Sequence, residues 1–167
     1  MDNIISKHQV AMDQAIALTK LSKCASLKVG CIITNERDKI ISSGVNGTIS
    51  GDDNCCDLFE GSSTAHSQWS QDNEIHAEMN AILELARNGS HFNRFTIYTT
   101  HSPCFNCLKH IMGLRTNYHY LDKIIYNEVY KRTTDEQLKM QKDYCKRFGV
   151  DLLSLQVFTR NAIIRKE

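Results

Sequence analysis

The sequence predicts a three-layer α/β domain, an α/β/α sandwich with helices covering a mixed central sheet. Three observations predict it. Segments of helical period and segments of strand length follow one another in the order α-β-β-α-β-α-β-α-β, and alternation of that kind packs helices onto a sheet. A polar turn joins the first two strands as a hairpin. The 167 residues contain no internal repeat, low-complexity tract or linker, so one domain over 1–167 is expected.

Residues 3–23 place Ile4, Val10, Met12, Ala15, Ile16, Leu18 and Leu21 at roughly helical spacing. LKVGCIIT (27–34) is apolar and β-branched, NERDK (35–39) is a polar turn, and KIISSGV (39–45) returns as a strand. Residues 46–73 are rich in Asn, Gly, Ser, Asp and Thr and show little periodicity. They predict a long ordered loop, and loops of that length are usually functional. From Glu74 to Asn88 an apolar stripe of Ile75, Met79, Ile82, Leu83 and Ala86 predicts a helix that stops at Asn88-Gly89. FTIYTT (95–100) is the third strand. Pro103 is placed to open the next helix at its first position, with CFNCLKHIMGL as its body. DKIIYNEVY (122–130) is the fourth strand, 134–147 a polar helix and DLLSLQVF (151–158) a last strand.

Composition narrows the function classes. Lys and Arg total 20 against 19 Asp and Glu, a net charge of +1. That balance gives no reason to expect nucleic-acid or membrane binding. No apolar run approaches a membrane-spanning length, and the first residues lack the pattern of a signal peptide. The seven cysteines are odd in number. With no export signal they point to a reducing cytoplasm (a host's, if the chain is viral) and to metal ligation rather than disulfides.

The chemistry concentrates in two short motifs. His76-Ala77-Glu78 is followed by Pro103-Cys104-Phe105-Asn106-Cys107, and H-x-E…P-C-x-x-C is a signature of zinc deaminases. Cys104 and Cys107 stand three apart at a helix start, where the helix dipole favours thiolates. His76 comes from the first turn of another helix. These three ligands leave the fourth zinc position to water, the mark of a catalytic rather than a structural site. Glu78 lies two residues past a ligand, close enough to exchange protons with that water without ligating. The reaction implied is hydrolytic loss of ammonia from an amino-heterocycle. A structural zinc or a lone CxxC redox pair is the bland alternative.

These residues resemble the cytidine and deoxycytidylate deaminase superfamily, and within it the deoxycytidylate (dCMP) deaminases of T-even-phage type. The matching pieces are SKCASLKVGCII (22–33), SSGVNG (42–47), DNCCD (53–57), AHSQWSQDNEIHAEMNAIL (65–83), ARNGS (86–90) and SPCFNC (102–107). The resemblance implies a cytidine deaminase-like fold and a hydrolase converting dCMP to dUMP and ammonia, a source of thymidylate precursor. It implies that Asn46 holds the sugar hydroxyl and that Ser26 and Lys28 contact the 5′-phosphate. Tyr130 matches a substrate-contact tyrosine, Ala77 offers its backbone to the pyrimidine, and Ser102 stands beside the metal loop. Each has a plainer reading, Lys28 as a surface lysine, Tyr130 as a strand-end core residue and Asn46 as a turn residue.

The resemblance further matches Cys24, Cys55, His66 and Glu74 to a second, structural zinc site, which would tie the 46–73 loop to the first helix and the active-site helix. Buried cysteines, a surface His66 and a Glu74 favoured by a helix N-terminus are the alternative. Cys56 and Cys145 are then spare. Because enzymes of this family are usually homohexamers, the resemblance also implies a homohexamer, activated by dCTP and inhibited by dTTP with Mg²⁺ on the triphosphate. Asn46 and Gly47 are the allosteric candidates here, although Val45 replaces the aromatic of the family's GYNG segment.

Two rivals remain. One is a deaminase of a related cytosine nucleoside, nucleotide or RNA base. An RNA enzyme needs a basic or aromatic surface, whereas KRT (131–133) and the tail RNAIIRK (160–166) read as solvated ends. The other is a non-catalytic, zinc-stabilised binding module, which would have no need of Glu78.

Overall fold

The computed structural model describes residues 6–89, 92–117 and 119–158. The outermost positions of the first predicted helix, Ser90 of the ARNGS match and the 160–166 tail lie outside them. The elements are α1 (Lys7–Leu18), β1 (Gly30–Asn35), β2 (Ile40–Val45), α2 (Cys55–Leu58), α3 (Thr64–Asn73), α4 (Ala77–Asn88), β3 (Arg94–His101), α5 (Phe105–Gly113), β4 (Tyr120–Glu128), α6 (Asp135–Arg147) and β5 (Asp151–Ser154). A short 3₁₀ turn, Thr19–Leu21, extends α1.

The five strands form one sheet in the order β2-β1-β3-β4-β5. β1 pairs antiparallel with β2 and with β3, whereas β3, β4 and β5 run parallel. The mixed sheet and the 27–45 hairpin are thus as expected. Strand period sorts the core into two layers. Cys31, Ile33, Phe95, Ile97, Ile124, Tyr126 and Leu152 face one side, with residues of α4, α5 and α6. Ile32, Tyr98 and Ile125 face the other, against Met12 and Ala15 of α1. No described helix is long and apolar enough to cross a membrane.

Gly44 sets how closely α4 approaches β2. A Cβ there would collide with the Ala77 carbonyl and the Ala81 amide. The bare backbone lets the start of α4, and so Glu78, settle onto the sheet.

Several boundaries differ from expectation. Residues 46–73 are not a loop throughout, since they contain α2 and α3. α3 escapes a hydrophobicity pattern because its repeating positions are polar. His66, Ser70 and Glu74 fall four residues apart, one face of a helix. Ser63 caps it by accepting from the His66 amide, and Phe59 packs on both His66 and Trp69. Glu74 is therefore the C-cap of α3, not a helix-start residue. His76 is the N-cap of α4 rather than part of its first turn. Ile75 between them is held extended by two backbone hydrogen bonds with Gly47, and extended residues cannot join a helix. Pro103 lies before the N-cap Cys104, whose sulfur accepts from the Cys107 amide. β4 ends at Glu128 and β5 at Ser154, both short of the predicted limits.

Candidate active site

The carboxyl ends of β2, β3 and β4 and the start of β1 meet at one edge of the sheet, the place where open α/β sheets bind ligands. A cavity of about 230 Å³ opens there.

His76, Cys104 and Cys107 converge at this cavity, their ligand atoms within 4.8 Å of one another. His76 Nδ1 lies 3.3 Å from Cys107 Sγ and 3.6 Å from Cys104 Sγ. Ligands at about 2.0–2.3 Å in a zinc tetrahedron stand roughly 3.3–3.8 Å apart, so this spacing fits the ion. The charge state fits as well. Hydrogen bonding with Cys107 brings Cys104 down to about 4, while the same bond and burial push Cys107 up. With its pKa lowered, the Cys104 thiol takes the thiolate form in which sulfur ligates a metal. The amide of Cys107 donates to Cys104 Sγ at 3.4 Å, so the start of α5 already offers positive charge to sulfur.

Glu78, the second residue of α4, is buried at 5 % exposure. Its Oε2 lies 3.6 Å from Cys107 Sγ, beside the cluster. Burial raises its carboxyl above the usual range, with the neighbouring His76 pulling the other way. The side chain can therefore carry a proton as well as surrender one.

The second expected set also assembles. Cys24, Cys55, His66 and Glu74 place their ligand atoms within 4.8 Å of one another. His66 Nε2 is 2.9 Å from Cys55 Sγ and 3.7 Å from Cys24 Sγ, and Glu74 Oε2 is 3.6 Å from Cys24 Sγ. Ser70 holds Oε2 of Glu74 at 2.5 Å, yet Oε1 is buried without a hydrogen-bond partner. A buried carboxylate oxygen left in that position suits a cation, since burial without a partner is costly. With four protein donors the cluster is closed, the pattern of structural zinc. Cys56 is exposed and Cys145 is buried in the core, and neither belongs to a donor set.

Ser26, Asn46, Ala77, Ser102 and Tyr130 all line the cavity. Asn46 is already heavily used. Its Oδ1 accepts from the Val29 amide at 2.7 Å and from Ser22 Oγ at 2.8 Å, and its Nδ2 donates to the Leu27 carbonyl at 2.9 Å. One amide hydrogen is left for a ligand. Gly47 is spent on its pairing with Ile75. Ser102 accepts from the Tyr130 amide at 3.0 Å and its own amide donates to the Glu128 carbonyl, which ties the exit of β4 to the metal loop. Lys28 is exposed and is not among the lining residues.

Sequence reasoning passed over other lining residues: Leu27, Val29, Ser67, Ser70, Gln71, His101 and Arg132. Ser67, Ser70 and Gln71 fall inside a quoted motif but show only as polar helix positions. Arg132 lies in the KRT stretch read above as a solvated end, and local sequence carries no sign that β4 delivers it to the cavity. His101 stands opposite Glu128 in the sheet register, with 3.7 Å between Nε2 and Oε2.

The fold and the donor set define a class, the zinc-dependent deaminases, which are hydrolases. Residues 5–121 match the family model described as the cytidine and deoxycytidylate deaminase zinc-binding region, and the chain belongs to that family. The deoxycytidylate deaminase of Enterobacteria phage T4 is 35% identical over 162 residues, spanning 75% of this chain and 80% of the phage protein. ComE operon protein 2 of Bacillus subtilis is 38% identical over 120 residues, 71% of this chain and 61% of that protein. The dCMP deaminase of cyanophage S-TIM5, solved in complex with dCMP and dUMP, superposes with a TM-score of 0.69 at 28% identity, covering 93% of this chain and 99% of that one.

Proposed function

We propose that this chain hydrolyses dCMP to dUMP and ammonia, with His76, Cys104 and Cys107 as the ligands of a catalytic zinc and Glu78 as the proton carrier. The observation that carries the reading is the buried Glu78 carboxylate set against a three-donor cluster at one cavity. Zinc in such a site acts as a Lewis acid that lowers the pKa of water to about 7. Glu78 accepts a proton from the water that attacks C4 of the pyrimidine and passes it to N3. It then takes the proton of the new C4 hydroxyl and delivers it to the amino group, which leaves as ammonia as the C4–N bond breaks and the C4 carbonyl forms. The wall of Leu27 and Val29 offers apolar surface to the ring. The spare Nδ2 hydrogen of Asn46 is available to a sugar oxygen, and the Ala77 backbone, Ser26, Ser102 and Tyr130 complete the contacts.

The second cluster, Cys24, Cys55, His66 and Glu74, is read as a structural zinc site that clips α2 and α3 to the segment entering β1. The described residues are read as one domain. On the family resemblance, a homohexamer activated by dCTP and inhibited by dTTP, with Mg²⁺ on the nucleotide, completes the proposal. Val45 is the position that bears on that regulation.

Turnover of deoxycytidine, dCMP, dCTP and a single-stranded oligonucleotide tests the assignment. dCMP is expected to have the highest kcat/KM. Preference for deoxycytidine or for the oligonucleotide would overturn it.

A further inference from the structure

The cavity holds two clusters of metal donors, two carboxylates and several hydroxyls, but among its lining residues just one Lys or Arg, which is Arg132. Two features place that side chain. The Thr133 amide donates to the Tyr130 carbonyl at 2.8 Å, closing a tight turn directly after β4. Arg132 then donates from a guanidinium nitrogen to Ser67 Oγ on α3 at 3.1 Å. Ser67 follows His66 of the second metal cluster, so a metal clip at His66 also fixes the acceptor that holds the arginine. The guanidinium has five N–H donors, and no carboxylate lies within ion-pair distance of it among the described residues. It is exposed at the rim rather than enclosed.

We propose that Arg132, held by Ser67, is the cation that recognises the 5′-phosphate of the substrate. This rests on the dCMP reading above. A phosphomonoester at neutral pH carries close to two negative charges, and its oxygens match the planar fork of a guanidinium. Ser26, which lines the same cavity, supplies a hydroxyl donor but no charge, and the Ser70 hydroxyl is spent on Glu74. Lys28 lies outside the lining, so Arg132 is the cation available to the phosphate. A rim position also suits the group, because the phosphate is the end of a nucleotide that stays hydrated while the base is enclosed.

The test compares wild type with Arg132→Gln, Arg132→Lys and Ser67→Ala in two measurements. One is the ratio of kcat/KM for dCMP over deoxycytidine. The other is the ratio of the Kd values of dUMP and deoxyuridine, measured by calorimetry. Both ratios are expected to move against the nucleotide by about 10- to 100-fold in Arg132→Gln, the worth of a charge-assisted contact. Arg132→Lys is expected to recover part of the loss, and Ser67→Ala to show a smaller loss in the same direction, carried by KM. Zinc content is expected to be unchanged in all three. Ratios unchanged in Arg132→Gln, with wild type preferring dCMP, would overturn this inference alone and leave the dCMP assignment standing. A wild-type enzyme that prefers deoxycytidine would overturn both.

Discussion

Glu74 and His76 leave the same side of one extended stretch, and each supplies a donor to a different metal cluster. Residues two apart in an extended chain face one way, and the backbone pairing of Ile75 with Gly47 keeps the stretch extended. Both clusters therefore open onto one cavity, with α3 ending at the first and α4 beginning at the second.

Replacing Glu78 by Gln keeps the shape and removes the proton acceptor. Zinc content is expected to be retained while kcat falls by about 10²- to 10⁴-fold. Metal analysis beside ammonia release measures both, and full activity in the variant would contradict the proton-transfer role.

Two zinc ions per chain are expected by metal analysis. Cys24→Ser or His66→Ala should reduce the count to one and destabilise the protein by more than about 2 kcal/mol, because loss of a metal ligand unties α2 and α3 together. A wild-type count of one would remove the second site.

Gly44→Ala forces a methyl group against the Ala77 carbonyl and the Ala81 amide. The expected cost is about 1–3 kcal/mol, the range for overpacking, read as a lower urea midpoint. Because the same helix start carries Glu78, kcat is expected to fall as well. A variant with wild-type stability and rate would mean that α4 does not need this close approach.

Acid stability turns on His8. Burial, with help from Lys123 and Lys7, lowers its pKa, and its Nδ1 lies 2.8 Å from the Tyr98 hydroxyl. Burial pushes Tyr98 up to about 12, so the phenol stays a donor and the neutral imidazole accepts. His101 is lowered by burial too. When the folded pKa lies below the unfolded value of about 6.5, the unfolded chain binds more protons across that interval. Stability is then complete above the unfolded pKa and is lost as pH falls through about 6.5 toward the folded value. Urea titrations between pH 7.5 and 5 are expected to show this decline, with a shallower slope in His8→Phe. An identical slope would assign the decline to other groups.

Resemblance to the family named the second cluster; the sequence by itself determined the alternation of helices and strands, the hairpin, and the members of the first cluster. Those features are written in local period and in residue type. Strand period 2 marks both faces of β1, β3 and β4, and a thiol or imidazole has few uses beside zinc when H-x-E and P-C-x-x-C stand at two helix starts. The tertiary structure alone decided what the polar stretches do. α3 turns a stripe of buried His66 and half-buried Ser70 and Glu74 toward donors and a cavity rather than apolar neighbours, so its helical period is invisible to a hydrophobicity pattern. Glu74 and His76 proved to be caps on either side of a paired extended residue, a state set by Gly47 from 28 positions earlier. Arg132 reached the cavity, and Lys28 stayed outside it, through the sheet order that brings the ends of β2, β3 and β4 together. Strand pairing and the close approach at Gly44 join residues far apart in the chain, and no local propensity encodes that meeting.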